Sequence, residues 1–146
     1  MWLYENKEIN VKEDFPEENT YGFVYKITNK VTGKFYIGKK QIFSKTKKKI
    51  GKEQKAKNKL LNIWKDFEYV IKEMDWQNYY GSSKELQADV KTLGVENFDK
   101  QILRFCKNTT ELTYWETAYQ FKEDVLFNNS YNDTILGKFY RKTLIK

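Results

Sequence analysis

Residues 21–41 read YGFVYKITNKVTGKFYIGKKQ. Two short runs rich in β-branched and aromatic residues, GFVYKIT (22–28) and KFYIGKK (34–40), flank a polar stretch holding Asn29, Thr32 and Gly33. That is the pattern of a β-hairpin. A turn centred near Lys30 and Val31 places Tyr25 opposite Tyr36, and opposed residues of an antiparallel pair share a face. Both phenols then project from one side of the sheet. Gly38 lies on that side too and, lacking a side chain, leaves it open for close approach of a ligand.

The composition limits what such a hairpin can belong to. At 146 residues the chain has the size of one domain with a single core. Lys and Arg number 27 against 20 Asp and Glu, a net charge of +7. Residues 1–19 hold two lysines and six acids, so that arm is −4 and the remainder +11. The partner expected for the remainder is a polyanion, with nucleic acid ahead of a membrane surface. Aromatic residues make up 17%, enough either to stabilise a small core or to stack on bases. Cys106 is the sole cysteine, which suits a reducing cytosol and offers neither an internal disulfide nor a thiolate metal site. Histidine is absent, which excludes zinc fingers, His-metal nucleases and Ser-His-Asp hydrolases. Any general base must be Tyr, Lys, Asp or Glu. The opening MWLYENKE is no signal peptide, and no apolar run approaches the roughly 20 residues of a membrane span. A soluble cytoplasmic protein is expected.

Along the chain, WLYENKEI (2–9) reads as a small hairpin around Glu5-Asn6-Lys7, and the acidic stretch to Pro16 as an irregular arm. Residues 44–59 contain eight lysines, one acid and no stripe that could fold alone, so a mobile or weakly helical basic segment is expected. Residues 60–76 regain apolar content as a helix or strand docking on the core. Ser82 and Glu85 form a capping box ahead of Leu86, Val90 and Leu93 at helical spacing, and Gly94 closes that helix. FDKQILRF (98–105) reads as a third strand. From Thr110 to Phe127, Leu112, Trp115, Tyr119 and Leu126 follow a helical period ended by Asn128-Asn129.

The half-motifs Phe23-Val24-Tyr25 and Tyr36-Ile37-Gly38, with their tyrosines eleven residues apart, resemble the paired signatures of the GIY-YIG nuclease family. The order of elements strengthens the likeness: strand, strand, helix, strand, then a helix carrying Glu116, and Asn132 sixteen residues later. The resemblance covers roughly residues 21–135 and is nearest in kind to small freestanding homing-like endonucleases of large tailed phages, which carry a similar Tyr-Tyr-Gly-Ser-Ser stretch. It implies an α+β GIY-YIG fold, a three-stranded antiparallel sheet flanked by helices. An acidic arm (1–20) precedes this domain, a basic insertion (44–76) follows its second strand, and a tail (136–146) ends the chain.

It also implies a phosphodiester hydrolase acting on double-stranded DNA to leave 5′-phosphate and 3′-hydroxyl ends. Such chemistry needs an in-line water, stabilisation of charge on the phosphoryl oxygens and help for the departing 3′-oxygen. A hard ion such as Mg²⁺ or Mn²⁺ tolerates one protein carboxylate with water and phosphate completing its shell, so a lone Glu116 suffices. The resemblance makes Tyr25 the general base, its pKa drawn down from about 10 by nearby lysines and metal. Tyr36 orients water or phosphate, and Asn132 fixes backbone or a bound water. The family's arginine, about ten residues after the second tyrosine, is replaced here by Thr46, and its histidine is missing. The flanking Lys45 and Lys47, or Lys39 and Lys40 beside the motif, are left to supply the charge, without the planar fork of arginine. Lys40, Lys48, Lys49, Lys52 and Lys55 are expected to touch DNA backbone. Trp76, Tyr79 and Tyr80 are assigned to core packing over base stacking. Specificity must then come from the lysine insert, the arm or a homodimer. The rival readings are a non-catalytic nucleic-acid-binding module that keeps the fold and a basic RNA-coating protein.

Overall fold

The computed structural model describes residues 1–62, 65 and 67–145. In chain order its strands and α-helices are β1 (Trp2–Tyr4), β2 (Lys7–Ile9), β3 (Gly22–Asn29), β4 (Phe35–Gln41), β5 (Phe43–Lys49), α1 (Lys52–Leu60), β6 (Phe67–Glu73), α2 (Lys84–Leu93), β7 (Phe98–Cys106), α3 (Thr109–Lys122), β8 (Thr134–Ile135), β9 (Phe139–Tyr140) and α4 (Arg141–Leu144). Residues 1–42 and 75–146 form one compact unit and residues 43–74 another.

The larger unit is built on a five-stranded sheet ordered β2-β1-β7-β3-β4. Its centre, β7-β3-β4, is the expected antiparallel trio. The N-terminal hairpin widens it: Glu5 and Asn6, both at positive φ, make the two-residue turn between β1 and β2, and β1 pairs in parallel with β7. Trp2 is buried, packs edge-on against Phe23 and Tyr25, and donates its indole N–H to Trp76 O at 2.7 Å. Alternation along β3 sorts the core. Val24 faces the side covered by α3, together with Ile37, Cys106, Leu112, Val125, Leu126 and Ile135. Phe23 and Tyr25 face the other side, with Trp2 and Trp76.

The first hairpin corrects its expected register. Tyr25 pairs with Gly38, and Tyr36 with Ile27. The loop is longer than a two-residue turn: Gly33 closes it at φ +75°, donating its N–H to Asn29 O, while Asn29 Oδ1 accepts from Val31 and Thr32 N–H. The pairing slips by two residues, and an even slip keeps every side chain on its face. Both phenols therefore still share one side, their ring centroids 6.1 Å apart.

The helices differ from expectation at their ends. Ser83, not Ser82, caps α2, accepting from Leu86 N–H, and Glu85 pairs with Lys34. α3 ends at Lys122, short of the expected Phe127; Asp124 at φ 46° turns the chain, and Val125 and Leu126 still reach the core. Arg141 staples the C-terminal segment, donating to Val125 O, Asn128 O and Asn132 O.

In the smaller unit, β5 and β6 pair as an antiparallel ribbon joined through α1. Over residues 44–49 a strand, β5, stands where a mobile or weakly helical segment was expected, while α1 makes the segment from Lys52 onward helical, as expected. Lys45, Lys47 and Lys49 alternate along one face of β5 with Lys48 on the other, and the Phe67-Glu68-Tyr69-Val70-Ile71 run of β6 supplies the β-forming partner that residues 44–59 lack alone. The apolar run expected at residues 60–76 contains this strand, which is exposed at every position; Ile63, Trp64 and Asp66 lie outside the described residues. Among the described residues no helix is long and apolar enough to cross a membrane.

Candidate active site

The outer edge of β4 organises the site. An edge strand presents a row of unpaired N–H and C=O groups, and on β4 these are met one after another by side chains and backbone from the second half of the chain. Phe35 N–H donates to Asn129 O, and Phe35 O accepts from Tyr131 N–H. At Ile37 the buried Asn132 grips both groups: Ile37 N–H donates to Oδ1 at 3.0 Å, and Nδ2 donates to Ile37 O at 2.8 Å. Gln120 Nε2 adds a second donor to Ile37 O at 3.1 Å. Two residues along the strand, the Lys39 N–H lies near the Glu116 carboxylate and favours its charged form. The spacing explains the pair: four helical residues rise about 6 Å and two strand residues about 6.6 Å, so Gln120 and Glu116 meet Ile37 and Lys39 in step.

Leu112, Glu116 and Gln120 thus form one stripe of α3, with Leu112 and Gln120 buried and Glu116 half-buried between them. Burial is the main reason that the Glu116 pKa is raised, and the nearby Lys39 charge and N–H pull it back. Lys39 Nζ also donates to Thr113 Oγ1 at 3.0 Å.

On the other side of β4, Tyr25, Tyr36 and Tyr79 cluster. The Tyr25 ring meets Tyr79 edge-on at 5.9 Å and is wholly buried. Its hydroxyl has no hydrogen-bond partner of ordinary geometry, Tyr79 being only a looser neighbour. The Tyr25 pKa lies well above 10, first through burial, then through the neighbouring phenols Tyr36 and Tyr79, and last through Glu116. The expected pull toward neutrality is therefore not met by the residues present: burial disfavours the phenolate, and every neighbour acting on Tyr25 pushes its pKa the same way. Tyr36 is half-buried, shares a 2.8 Å hydrogen bond with Ser82 Oγ and has its pKa raised by burial. Lys40 Nζ sits 4.6 Å over the Tyr79 ring, and burial lowers its pKa.

Gly38 serves a different end from the one expected. A Cβ there would lie 2.5 Å from the Tyr25 hydroxyl oxygen and 2.8 Å from Tyr36 Cε1. The space is already taken by the two phenols, so the glycine admits Tyr25 rather than a ligand.

The whole chain but its ends, residues 2–144, matches the family model described as "Putative endonuclease segE, GIY-YIG domain". The chain belongs to this GIY-YIG family. No curated protein and no solved structure matches it.

Of the residues singled out in this GIY-YIG sequence, Tyr25, Tyr36, Lys39, Lys40, Glu116 and Asn132 gather around β4. Lys45, Lys47, Lys48 and Lys49 lie on β5, and Lys52 and Lys55 on α1, all within the smaller unit. Among the described residues no three His, Cys, Asp or Glu side chains come together, so no ready-made cluster of acids surrounds Glu116. The donor set fits a hard cation: a desolvated carboxylate and an unpartnered phenol oxygen are both groups that such an ion relieves. Sequence reasoning missed Ser82 and Gln120 and gave Tyr79 to the core. The Gln120 signal was its place one turn after Glu116.

Proposed function

We propose that this chain is a divalent-metal-dependent DNA endonuclease that leaves 5′-phosphate and 3′-hydroxyl ends. The observation that carries the reading is the convergence of Glu116 and the two motif tyrosines on β4, close enough for the carboxylate to bear on both phenols. Glu116 would hold Mg²⁺ or Mn²⁺, and the ion would supply positive charge to the phosphoryl oxygens and the leaving 3′-oxygen. Tyr25 keeps its proton in the resting protein, so its role as general base requires positive charge beside it. Tyr36, held by Ser82, orients the phosphate or the attacking water. Lys39 and Lys40 stand on the two sides of β4 and take the place of the missing arginine as point charges on phosphate. Asn132 acts through the strand: by fixing Ile37 it holds Tyr36 and Gly38 in place.

A binding module without turnover is the second reading, favoured by the upward pKa of both phenols and the absence of arginine from its family position. Supercoiled plasmid with Mg²⁺ separates the two. The endonuclease nicks it, Glu116→Ala and Tyr25→Phe abolish nicking, and DNA ligase reseals the products. The binder retards the plasmid and leaves it intact. Independently of turnover, Mg²⁺ raises the melting temperature of the wild type and not of Glu116→Gln; equal shifts in the two would remove Glu116 from the metal site.

A further inference from the structure

The smaller unit, residues 43–74, carries ten lysines against four acids and so holds six of the chain's seven net positive charges. Its ribbon distributes them unevenly. The register pairs Lys45 with Ile71, Lys47 with Tyr69 and Lys49 with Phe67, all on one face. Across the diagonals of that face, Lys45 Nζ sits 4.2 Å over the Tyr69 ring and Lys47 Nζ 4.1 Å over Phe67. Glu73, opposite Phe43, is its one acid and lies at the end of the ribbon. The other face mixes Ser44, Thr46, Val70, Lys48 and Lys72 with Glu68.

Two features of the first face ask for a partner. Tyr69 is 58% and Ile71 68% exposed, so an apolar row lies open between the lysines. Among the described residues β6 is exposed at every position, and a two-stranded ribbon so exposed is marginal in water. The charge selects a polyanion, and the shape narrows the choice, because a two-stranded ribbon fits the major groove of duplex DNA.

We propose that the Lys45-Lys47-Lys49 face of the β5–β6 ribbon docks in the major groove of duplex DNA, its lysines on phosphates and Tyr69 and Ile71 toward the base edges. The choice of DNA among polyanions rests on the nuclease reading. Lys45 and Lys47 then grip the duplex, and the cation–π stacking holds their ammonium groups outward from the ring faces before DNA arrives.

The test compares faces at equal charge. The full-length protein is titrated in EDTA, where metal-dependent cleavage is silent, against a fluorescein-labelled 30-base-pair duplex over a range of KCl concentrations. Lys45→Gln/Lys47→Gln loses at least tenfold in affinity and lowers the log-log salt slope by about 1.8, at about 0.9 per phosphate contact. Lys48→Gln/Lys72→Gln, which removes the same charge from the other face, loses less than threefold. Lys45→Arg/Lys47→Arg retains wild-type affinity, and Tyr69→Ala weakens binding. Equal losses from the two faces would reduce the ribbon to a source of net charge and overturn the proposal, as would tighter binding of the single strand. Binding that follows this pattern in a protein that never nicks plasmid would leave the ribbon standing and remove the nuclease reading.

Discussion

The Tyr25 hydroxyl is a buried polar group without a good partner, set where Gly38 leaves just enough room for it. A group of that kind costs stability, roughly 1–3 kcal/mol when unsatisfied, and a fold that retains it invites a functional reason. Tyr25→Phe removes the oxygen and keeps the ring. We expect the melting temperature to hold or rise slightly while plasmid nicking disappears. Gly38→Ala should do the opposite kind of harm: its Cβ presses on the hydroxyl and on Tyr36, costing about 1–3 kcal/mol by overpacking and lowering nicking by displacing both phenols together. Parallel melting curves and nicking rates for the two variants check this; a destabilised Tyr25→Phe would make the hydroxyl a packing group. The face shared by the two tyrosines was legible from their alternation alone, whereas the opposition of Tyr25 to Gly38 was not. Loop length decides it, and the left-handed Gly33 at the loop's end was the signal passed over.

Among the elements, the strand pattern and the helical period carried the sheet's central trio and α3, because burial writes those periods into the sequence. What connects them was hidden. The family resemblance picks out Asn132 to fix backbone or a bound water, but which strand edge it closes is not written in the sequence, since its partner Ile37 lies 95 residues away. Ser82 was hidden for a related reason: moving the cap by one residue, to Ser83, turns an apparent capping group into the partner of Tyr36. Capping motifs fix a helix start only to within a residue or so. The clamp at β4 makes a sharp prediction. Asn132→Ala strands a buried N–H and a C=O of Ile37, of which only the carbonyl keeps Gln120, and should cost about 2–4 kcal/mol. Asn132→Asp keeps an acceptor for the N–H but faces Ile37 O with no donor, and should be nearly as damaging. Urea unfolding of both variants measures the costs. A loss under 1 kcal/mol in Asn132→Ala would mean that the edge is satisfied without the clamp.

Across the larger unit, the N-terminal hairpin was visible in the sequence, but its place in the main sheet was not, since parallel pairing of β1 with β7 joins residues about a hundred positions apart. Lys100 shows what that pairing builds. Its side chain is buried, with Nζ 4.2 Å from the Trp2 ring and 4.1 Å from Tyr80, and it donates to Gln77 O at 2.9 Å. Burial lowers its pKa from 10.5 to about 8, against a smaller upward pull from Asp75. The sign follows from proton counting. Between pH 8 and 10 the unfolded chain holds this proton more tightly than the folded one, so stability attributable to Lys100 rises with pH, and the penalty is fully present below pH 8. At about 1.4 kcal/mol per pH unit, the change across that window is roughly 2–3 kcal/mol. Cys106, pushed up to about 11 by burial, and the buried tyrosines erode stability at alkaline pH and would mask the trend in the wild type alone. Those groups are common to Lys100→Met, which makes the difference between the two proteins the quantity to measure. The amine of Met1, which Lys100 also influences, titrates below pH 8 and stays outside the window. Urea titrations at pH 8, 9 and 10 should find wild type minus variant climbing by about 2–3 kcal/mol. A difference that stays flat to pH 10 would mean that Lys100 titrates like a solvated lysine, and the hairpin, β7 and the Trp76–Tyr80 segment would not close over it in solution.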